Sequence, residues 1–375
     1  MKIILAGGGT GGHTFPLIAV LREIKKHSLN TVDFLYIGPK DEFTRHYFAK
    51  EGVETNFCFT GKIRRYGGIS TFFQNINDVF FNIPIGIIQS FISMFFYAPD
   101  IIFSKGGYGS LPVVIAGMLL GVPIVMHESD AVPGQANKIL SSFAFKIYVA
   151  FEEKGVSYFP LRKMMYTGNP IRETILNGSQ NKAKEVLKLN FKKPTILFLG
   201  GSQGSTRINE LIIQIAPQML EFFEVIHQTG QKDFERVKEY TSALIPENLQ
   251  PEYHVYPFFS EEEMQNIYAA SDAIVARAGA GTIFEISAIG RPSILIPLPE
   301  AAQDHQLKNA LTYAKLTQSA IVIEEKNLTP NFFLAELKNM FQFKDIRELG
   351  RRAKEFSIPN SAELIAKDII KFLES

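Results

Sequence analysis

A single cysteine, Cys58, among 375 residues excludes an intrachain disulfide and every metal site built from paired cysteines. A reducing cytosol suits such a chain. Neither sign of charge dominates: 39 Lys and Arg stand against 38 Asp and Glu, so net charge points to no nucleic-acid partner. The chain has no Asp-x-Asp pair, the usual source of oxygen ligands when a sugar transferase holds its donor diphosphate through a metal. It also has no G-x-x-x-x-G-K-S/T loop, which argues against a P-loop ATPase. Low-complexity tracts and long linkers are lacking, and the opening MKIILAGGG holds too short an apolar run for a signal peptide. A chain of this length has room for two domains, each with its own core.

What is present is an alternation of short apolar runs, ending in glycine or polar clusters, with segments of helical periodicity. That pattern predicts an α/β protein with mainly parallel sheets. Strands are expected at Lys2–Ala6, Phe34–Ile37, Ile101–Ser104 and Ile124–His127, then at Thr195–Leu199, Val225–His227, His254–Tyr256, Ala273–Ala276 and Ser293–Ile296. The helix after the first loop carries Leu17, Ile18, Val20, Leu21 and Ile24 on one side and Arg22, Glu23 and Lys25 on the other, with Pro16 expected in its first turn. Ile196–Gly204 repeats the strand, glycine loop and helix of Ile3–Gly12, which predicts two similar domains. We expect one over 1–166 and the other over 171–352, with Thr167–Pro170 and the Lys-rich Asn177–Lys193 stretch at the junction. A last helix within about 356–375 would return to the first domain.

The richest stretch is 277–310, RAGAGTIFEISAIGRPSILIPLPEAAQDHQLKNA. Two adjacent strand ends there bring small-residue loops, helix starts and the polar side chains of Gln303, Asp304, Gln306 and Asn309 towards one crevice. Backbone N–H groups at a helix N-terminus suit phosphate, and polar side chains around them suit a sugar. The rival reading is that Thr282-x-x-Glu285 is only a capping box, with Glu285 satisfying backbone donors.

Gly7–Gly12 satisfies G-x-G-x-x-G after a strand, so a dinucleotide-dependent oxidoreductase is a second rival. That fingerprint wants an acidic residue at the end of the second strand. Here that strand ends Ile37-Gly38-Pro39-Lys40, with Asp33 at its wrong end. His13 follows the loop and could serve as a general base, or merely hydrogen-bond to backbone. His127-Glu128 is a second candidate pair, with Glu128 orienting a base or meeting the acceptor. Lys105-Gly106-Gly107-Tyr108 is a glycine loop with a cation, suited to an anionic acceptor or to a tight turn. From Val79 to Pro99 no residue is charged, while Lys62, Arg64 and Arg65 lie just upstream. A membrane-surface site, a buried core helix and an interrupted span are the three readings of that stretch.

GGGTGGH (7–13), GKIRR (61–65), SKGGYGSLP (104–112), HESDAVPGQANK (127–138), TGNPIR (167–172), GGSQGS (200–205), RAGAGTIFE (277–285) and DHQLKNA (304–310) follow one another along nearly the whole chain. Together they resemble the MurG family of bacterial peptidoglycan glycosyltransferases. The resemblance implies a GT-B fold, with two Rossmann-like domains facing a central cleft, and no cofactor or metal. The implied reaction is an inverting transfer of N-acetylglucosamine from its UDP donor to undecaprenyl-diphosphate-linked N-acetylmuramoyl-pentapeptide. It also implies peripheral docking on the anionic cytoplasmic face of the inner membrane, and leaves open which other cell-wall synthesis proteins are partners.

Carried over by position, Glu285 would bind the ribose, and Ser202, Gln203 and Gly204 with the Ala280-Gly281-Thr282 helix start would hold the diphosphate. Arg172 and the backbone around Phe259 would flank the uracil. Gln303, Asp304, Gln306 and Asn309 would meet the amino sugar, and Thr10, Gly11, Gly12 and Asn137 would complete the donor side. His13 and Glu128 are the catalytic candidates. Lys62, Arg64, Arg65, Lys105, Gly106, Gly107 and Tyr108 would serve the acceptor and membrane. Asp130 stands where many members of the family carry Asn; it can accept the same hydrogen bonds but cannot donate them. A nucleotide-sugar epimerase of similar fold, which would need no membrane surface, and a membrane-attached scaffold without chemistry are the competing functions.

Overall fold

Residues with branched and aromatic side chains on both faces of a strand need apolar layers on both sides, and the central strands receive them. In β1 (Lys2–Ala6), Ile3 and Leu5 enter one core while Ile4 and Ala6 enter another on the opposite face. β1 is joined by β2 (Asp33–Gly38), β3 (Glu54–Phe57), β4 (Ile101–Ser104), β5 (Ile124–Glu128), β6 (Lys146–Val149) and β7 (Met164–Tyr166) in the order β3-β2-β1-β4-β5-β6-β7. A second sheet contains β8 (Thr195–Leu199), β9 (Glu224–Gln228), β10 (Tyr253–Tyr256), β11 (Ala273–Ala276), β12 (Ser293–Leu295) and β13 (Ala320–Val322), ordered β10-β9-β8-β11-β12-β13. Every pairing in both sheets is parallel. The strand order reverses beside β1 in one sheet and beside β8 in the other, which is where open parallel sheets leave a crevice at their carboxyl ends.

This computed structural model describes residues 1–9, 11–61, 69–152, 158–201, 204–343 and 345–375. The chain forms two units, Met1–Ile171 with Ile358–Ser375, and Arg172–Ser357. Around the first sheet lie α1 (Gly11–His27), α2 (Glu42–Lys50), α3 (Ile69–Asn77), α4 (Ile83–Tyr97), α5 (Leu111–Leu119) and α6 (Gln135–Leu140). The second sheet is flanked by α7 (Gln180–Leu187), α8 (Thr206–Leu220), α9 (Phe234–Leu244), α10 (Glu261–Ala270), α11 (Ala280–Ile289), α12 (His305–Thr317), α13 (Pro330–Phe343) and α14 (Ile346–Phe356).

The final helix, α15 (Ser361–Glu374), packs Ile365, Ala366 and Ile369 into the core that α1 fills with Leu17, Val20 and Leu21. Asp368 on α15 takes Lys146 Nζ at 2.6 Å and the Tyr148 hydroxyl at 2.7 Å.

Some local expectations need correcting. Pro16 is the sixth residue of α1 rather than part of its first turn, because the helix opens directly out of the glycine loop at Gly11. Glu23 is not on a solvated face: it is buried, and its carboxylate is met by His27 at 3.1 Å and Lys26 at 3.4 Å. The junction falls at Ile171–Arg172, so Asn177–Lys193 lies inside the second unit, where α7 buries Ala183 and Leu187.

The uncharged stretch begins with a wide turn at Asp78–Asn82 and continues into α4. Gly86, Ser90 and Met94, four residues apart, form its buried stripe. A Cβ on Gly86 would stand 1.8 Å from the Phe59 carbonyl oxygen, so only glycine permits that approach. The opposite face is bare: Phe80 is 68% exposed, Ile88 59%, Phe95 63% and Phe96 80%. Phe73–Tyr97 is long and apolar enough to cross a bilayer by length and composition. One side of α4 is nevertheless committed to its own domain.

Candidate active site

In the first unit, the polar residues gather at the carboxyl ends of β1, β4 and β5. Gly7 and Gly8 leave β1 and press backbone to backbone against the loop after β4, where a Cβ on Gly109 would meet the Gly8 Cα at 2.6 Å. Gly11 and Gly12 open α1, followed by half-buried His13. The ring of His13 lies over Gly107, whose φ of 77° only glycine adopts readily; a Cβ there would stand 3.0 Å from His13 Nε2. Lys105 is wholly buried, and its ammonium has no hydrogen-bond partner among the described residues. Burial pushes its pKa down to about 8 against the pull of Glu128 and Asp130. Tyr108 starts the short turn that follows and is partly exposed.

Glu128, the last residue of β5, is buried, with each carboxylate oxygen taken by a donor. The Asp130 N–H donates to Oε1 at 2.9 Å and Asn137 Nδ2 donates to Oε2 at 2.8 Å. Burial, and then the Asp130 charge, push the Glu128 pKa up to about 7 despite those bonds and Lys105. Asn137 Oδ1 in turn accepts the Gly107 N–H at 3.0 Å. His127 is buried and its Nε2 meets the Gly168 carbonyl at 3.0 Å; burial, then Lys105, hold its pKa well below the ordinary value.

The second unit has its own polar cluster. α11 begins after Gly279, so Thr282 is its third residue and Glu285 its sixth. A capping box would put the glutamate three residues after the cap, and that reading fails. Instead, Arg172 Nε and Nη2 both donate to Glu285 Oε1, at 2.9 and 2.8 Å, while the Tyr268 hydroxyl donates to Oε2 at 2.9 Å. Burial alone would lower the Arg172 pKa, but the Glu285 carboxylate beside it raises it. Burial, and then Glu285, raise that of Tyr268 well above the usual range. A carboxylate has about four acceptor positions, and these three bonds leave one, on Oε2, for a ligand hydroxyl.

Ala280 and Gly281 form the first turn of α11, the end at which N–H groups are unpaired within a helix. Gly204, with a φ of 78°, leads into Ser205, whose hydroxyl caps α8. The Phe259 ring is buried against Tyr256. Gln303 and Asp304 are consecutive residues with positive φ, 58° and 55°, a conformation costing non-glycine residues about 1 kcal/mol or more each. Gln306 Oε1 accepts the Leu298 N–H at 3.0 Å, and Asn309 is completely buried. Thr10, Lys62, Arg64, Arg65, Ser202 and Gln203 lie outside the described residues.

Sequence reasoning missed Tyr268, which stands 17 positions from Glu285 and carries no local motif. It also assigned nothing to Arg277. That buried guanidinium bonds to Ser205 Oγ at 2.7 Å and the Ile296 carbonyl at 3.1 Å, and pairs with Glu325, tying the loops after β8, β11 and β12 together. An arginine closing an otherwise apolar strand was the available signal.

The Glycosyltransferase family 28 N-terminal domain matches residues 3–149, and the Glycosyltransferase family 28 C-terminal domain matches 195–369. A UDP-N-acetylglucosamine--N-acetylmuramyl-(pentapeptide) pyrophosphoryl-undecaprenol N-acetylglucosamine transferase of Flavobacterium psychrophilum is 34% identical over 378 residues, covering 100% of this chain and 98% of the relative. The Bacillus cereus transferase 2 of the same name is 35% identical over 326 residues, 86% of this chain and 87% of its own.

Among solved structures, MurG of Acinetobacter baumannii superposes with a TM-score of 0.72 at 24% identity, covering 99% of each chain. A UDP-GlcNAc 2-epimerase from Neisseria meningitidis gives 0.66 at 12% identity over 99% of this chain and 100% of its own. At those identities the structural likeness establishes a GT-B architecture of two parallel-sheet α/β domains, and does not by itself separate transferase from epimerase. The full-length sequence relatives make that separation: the chain is a glycosyltransferase of family 28 and belongs to the MurG family of N-acetylglucosamine transferases.

Proposed function

We propose that the two clusters divide one transfer between them, the second unit holding the nucleotide sugar and the first receiving the lipid-linked acceptor and its proton. N-acetylglucosamine moves from UDP-N-acetylglucosamine to the muramoyl sugar of undecaprenyl-diphosphate-linked N-acetylmuramoyl-pentapeptide. The observation that carries the donor half is the Glu285 carboxylate, fixed by Arg172 and Tyr268 in the second turn of a helix that starts on Ala280-Gly281. A fixed carboxylate with one acceptor position left takes a ribose hydroxyl with little reorganisation, and helix N-termini favour a diphosphate. Gly204 and the Ser205-capped start of α8 supply a second such N-terminus. Arg172 has a further role beside the uracil, and Gln303 and Asp304 take the amino sugar at the strained loop.

In the transfer, the acceptor hydroxyl oxygen bonds to the anomeric carbon as the bond from that carbon to the diphosphate oxygen breaks. The hydroxyl proton passes to a base, and the electron pair leaves with UDP, where helix N-termini stabilise the developing charge. His13, at the mouth of the strand-end loops, is that base; an imidazole titrates near working pH. His13→Ala is expected to cut turnover by about 10²–10⁴-fold with donor affinity little changed. Turnover retained in that variant would remove His13 from the chemistry.

The acceptor carries a long polyprenyl tail, so the enzyme must work at a bilayer surface. The bare Phe and Ile face of α4 is suited to shallow insertion, with Lys62, Arg64 and Arg65 upstream to meet anionic headgroups. The buried stripe of Gly86, Ser90 and Met94 supports a peripheral attachment, and the cytoplasmic face of the inner membrane is what the family resemblance implies.

A further inference from the structure

We infer that Glu128 and Asn137 form a hydrogen-bond relay that holds the Gly106–Gly107 turn beneath the His13 ring, making both of them positioning residues. The inference rests on the reading of His13 as the base.

Burying a carboxylate costs several kcal/mol unless its oxygens are satisfied, so the bonds it keeps indicate what it is for. Glu128 points inward, with one oxygen on the Asp130 N–H and the other on Asn137 Nδ2. Asn137 is buried and uses both ends of its amide, donating to Glu128 and accepting from the Gly107 N–H. It also packs so closely on the turn that a Cβ on Gly106 would stand 2.0 Å from its Oδ1. On the far side of Gly107, the space a Cβ would fill is bordered by His13 Nε2 at 3.0 Å. A chain of contacts thus runs from the end of β5 through α6 to the turn after β4, and from there to the imidazole on α1. Each polar atom of the two side chains makes one bond within the relay, and positioning is the role we infer for them, beside the donor-side role expected for Asn137 and the catalytic role considered for Glu128. The buried Lys105 ammonium lies in the field of both Glu128 and Asp130, so the test keeps the charge of the network unchanged.

The direction of the bonds gives a decisive test. Glu128→Gln leaves one acceptor oxygen for two donors, and Asn137→Asp sets two carboxylates face to face. The double variant E128Q/N137D reverses the central bond. The amide introduced on β5 then donates to the carboxylate introduced on α6, and that carboxylate still accepts from the Gly107 N–H. The oxygen of the new amide still accepts from the Asp130 N–H. One negative charge is kept.

Turnover at saturating substrates is expected to fall about 10²-fold in each single variant, the scale of a misplaced catalytic group. It should return to within about tenfold of wild type in the double variant. NMR of the His13 ring should shift in the single variants and recover in the double. Gly107→Ala, which strains the turn and crowds the ring while leaving the Glu128 and Asn137 side chains intact, should lower turnover likewise and provides the readout if a single variant fails to fold. A double variant as inactive as E128Q, with wild-type His13 ring signals, would overturn the relay and make the Glu128 carboxylate the reacting group. Unchanged turnover in Asn137→Ala would overturn it as well. The underlying base assignment fails separately: His13→Ala would then retain turnover while the ring-signal recovery still reported the relay.

Discussion

Removing the Glu285 carboxylate separates donor binding from fold maintenance. Arg172 and Glu285 side chains are 10% and 12% exposed, and the pair is joined by two N–H bonds to one oxygen. Glu285→Ala takes from the nearly buried Arg172 guanidinium the carboxylate that holds it by two bonds, a loss of about 3–5 kcal/mol. For a domain of this size that lowers Tm by roughly 6–20 °C. Loss of charge-assisted bonds to a ribose diol would separately weaken UDP by about 1–3 kcal/mol, or roughly 5- to 150-fold.

The double variant R172M/E285A removes the buried charge together with the carboxylate, so Tm should recover most of its loss while UDP affinity stays low. Calorimetry with UDP and 2′-deoxy-UDP completes the cycle. Wild type should distinguish the two ligands, and both Glu285 variants should bind them nearly equally. If R172M/E285A binds UDP as wild type does, or Glu285→Ala still favours UDP over the deoxy ligand by the wild-type margin, Glu285 only maintains the fold.

Replacing Phe95 and Phe96 by Ser removes two of the most exposed rings on α4. At about 1–2 kcal/mol per partly inserted ring, flotation with anionic liposomes should weaken by tens- to hundreds-fold; undiminished flotation would exclude α4 as the contact. Neutralising Lys62, Arg64 and Arg65 should cost on the order of 1 kcal/mol each, and less at high salt. Lys105 has its folded pKa lowered by burial from an ordinary 10.5 to about 8. The unfolded chain therefore binds the extra proton between those values, and wild-type stability rises across that window. Lys105→Met should flatten this rise in Tm measured from pH 8 to 10.5, and a persistent rise would assign it elsewhere. Glu128, raised from 4.5 to about 7, acts oppositely: its contribution falls as pH rises through that range.

Strands buried on both faces, such as β1, β4 and β8, were readable because all but one residue in each is apolar. β3 reads Glu-Thr-Asn-Phe at a sheet edge and carries no such run, and the edge strands β7 (Met-Met-Tyr) and β13 (Ala-Ile-Val) are apolar but only three residues long. They exist because a neighbouring strand offers hydrogen bonds, which no local pattern records. Glycine loops announced where the clusters lie, since only glycine allows the contacts at Gly86 and Gly107. Their wiring was illegible for another reason. Arg172 and Glu285 are 113 positions apart, and a local Thr-x-x-Glu spacing offered a simpler partner until Gly279 proved to be the cap. Pro16 misled similarly, because first-turn prolines are common and the true helix start lay five residues earlier.

The central claim is that this chain joins N-acetylglucosamine to a lipid-linked muramoyl acceptor with inversion. The most direct measurement incubates the enzyme with UDP-N-acetylglucosamine labelled with ¹³C at the anomeric carbon, and with a short-chain polyprenyl-diphosphate-linked N-acetylmuramoyl-pentapeptide. The product is followed by NMR of the labelled carbon. The account predicts one β-linked disaccharide formed in step with free UDP. Unchanged acceptor with the label appearing in an epimerised UDP-sugar, or an α-linked product, would contradict it.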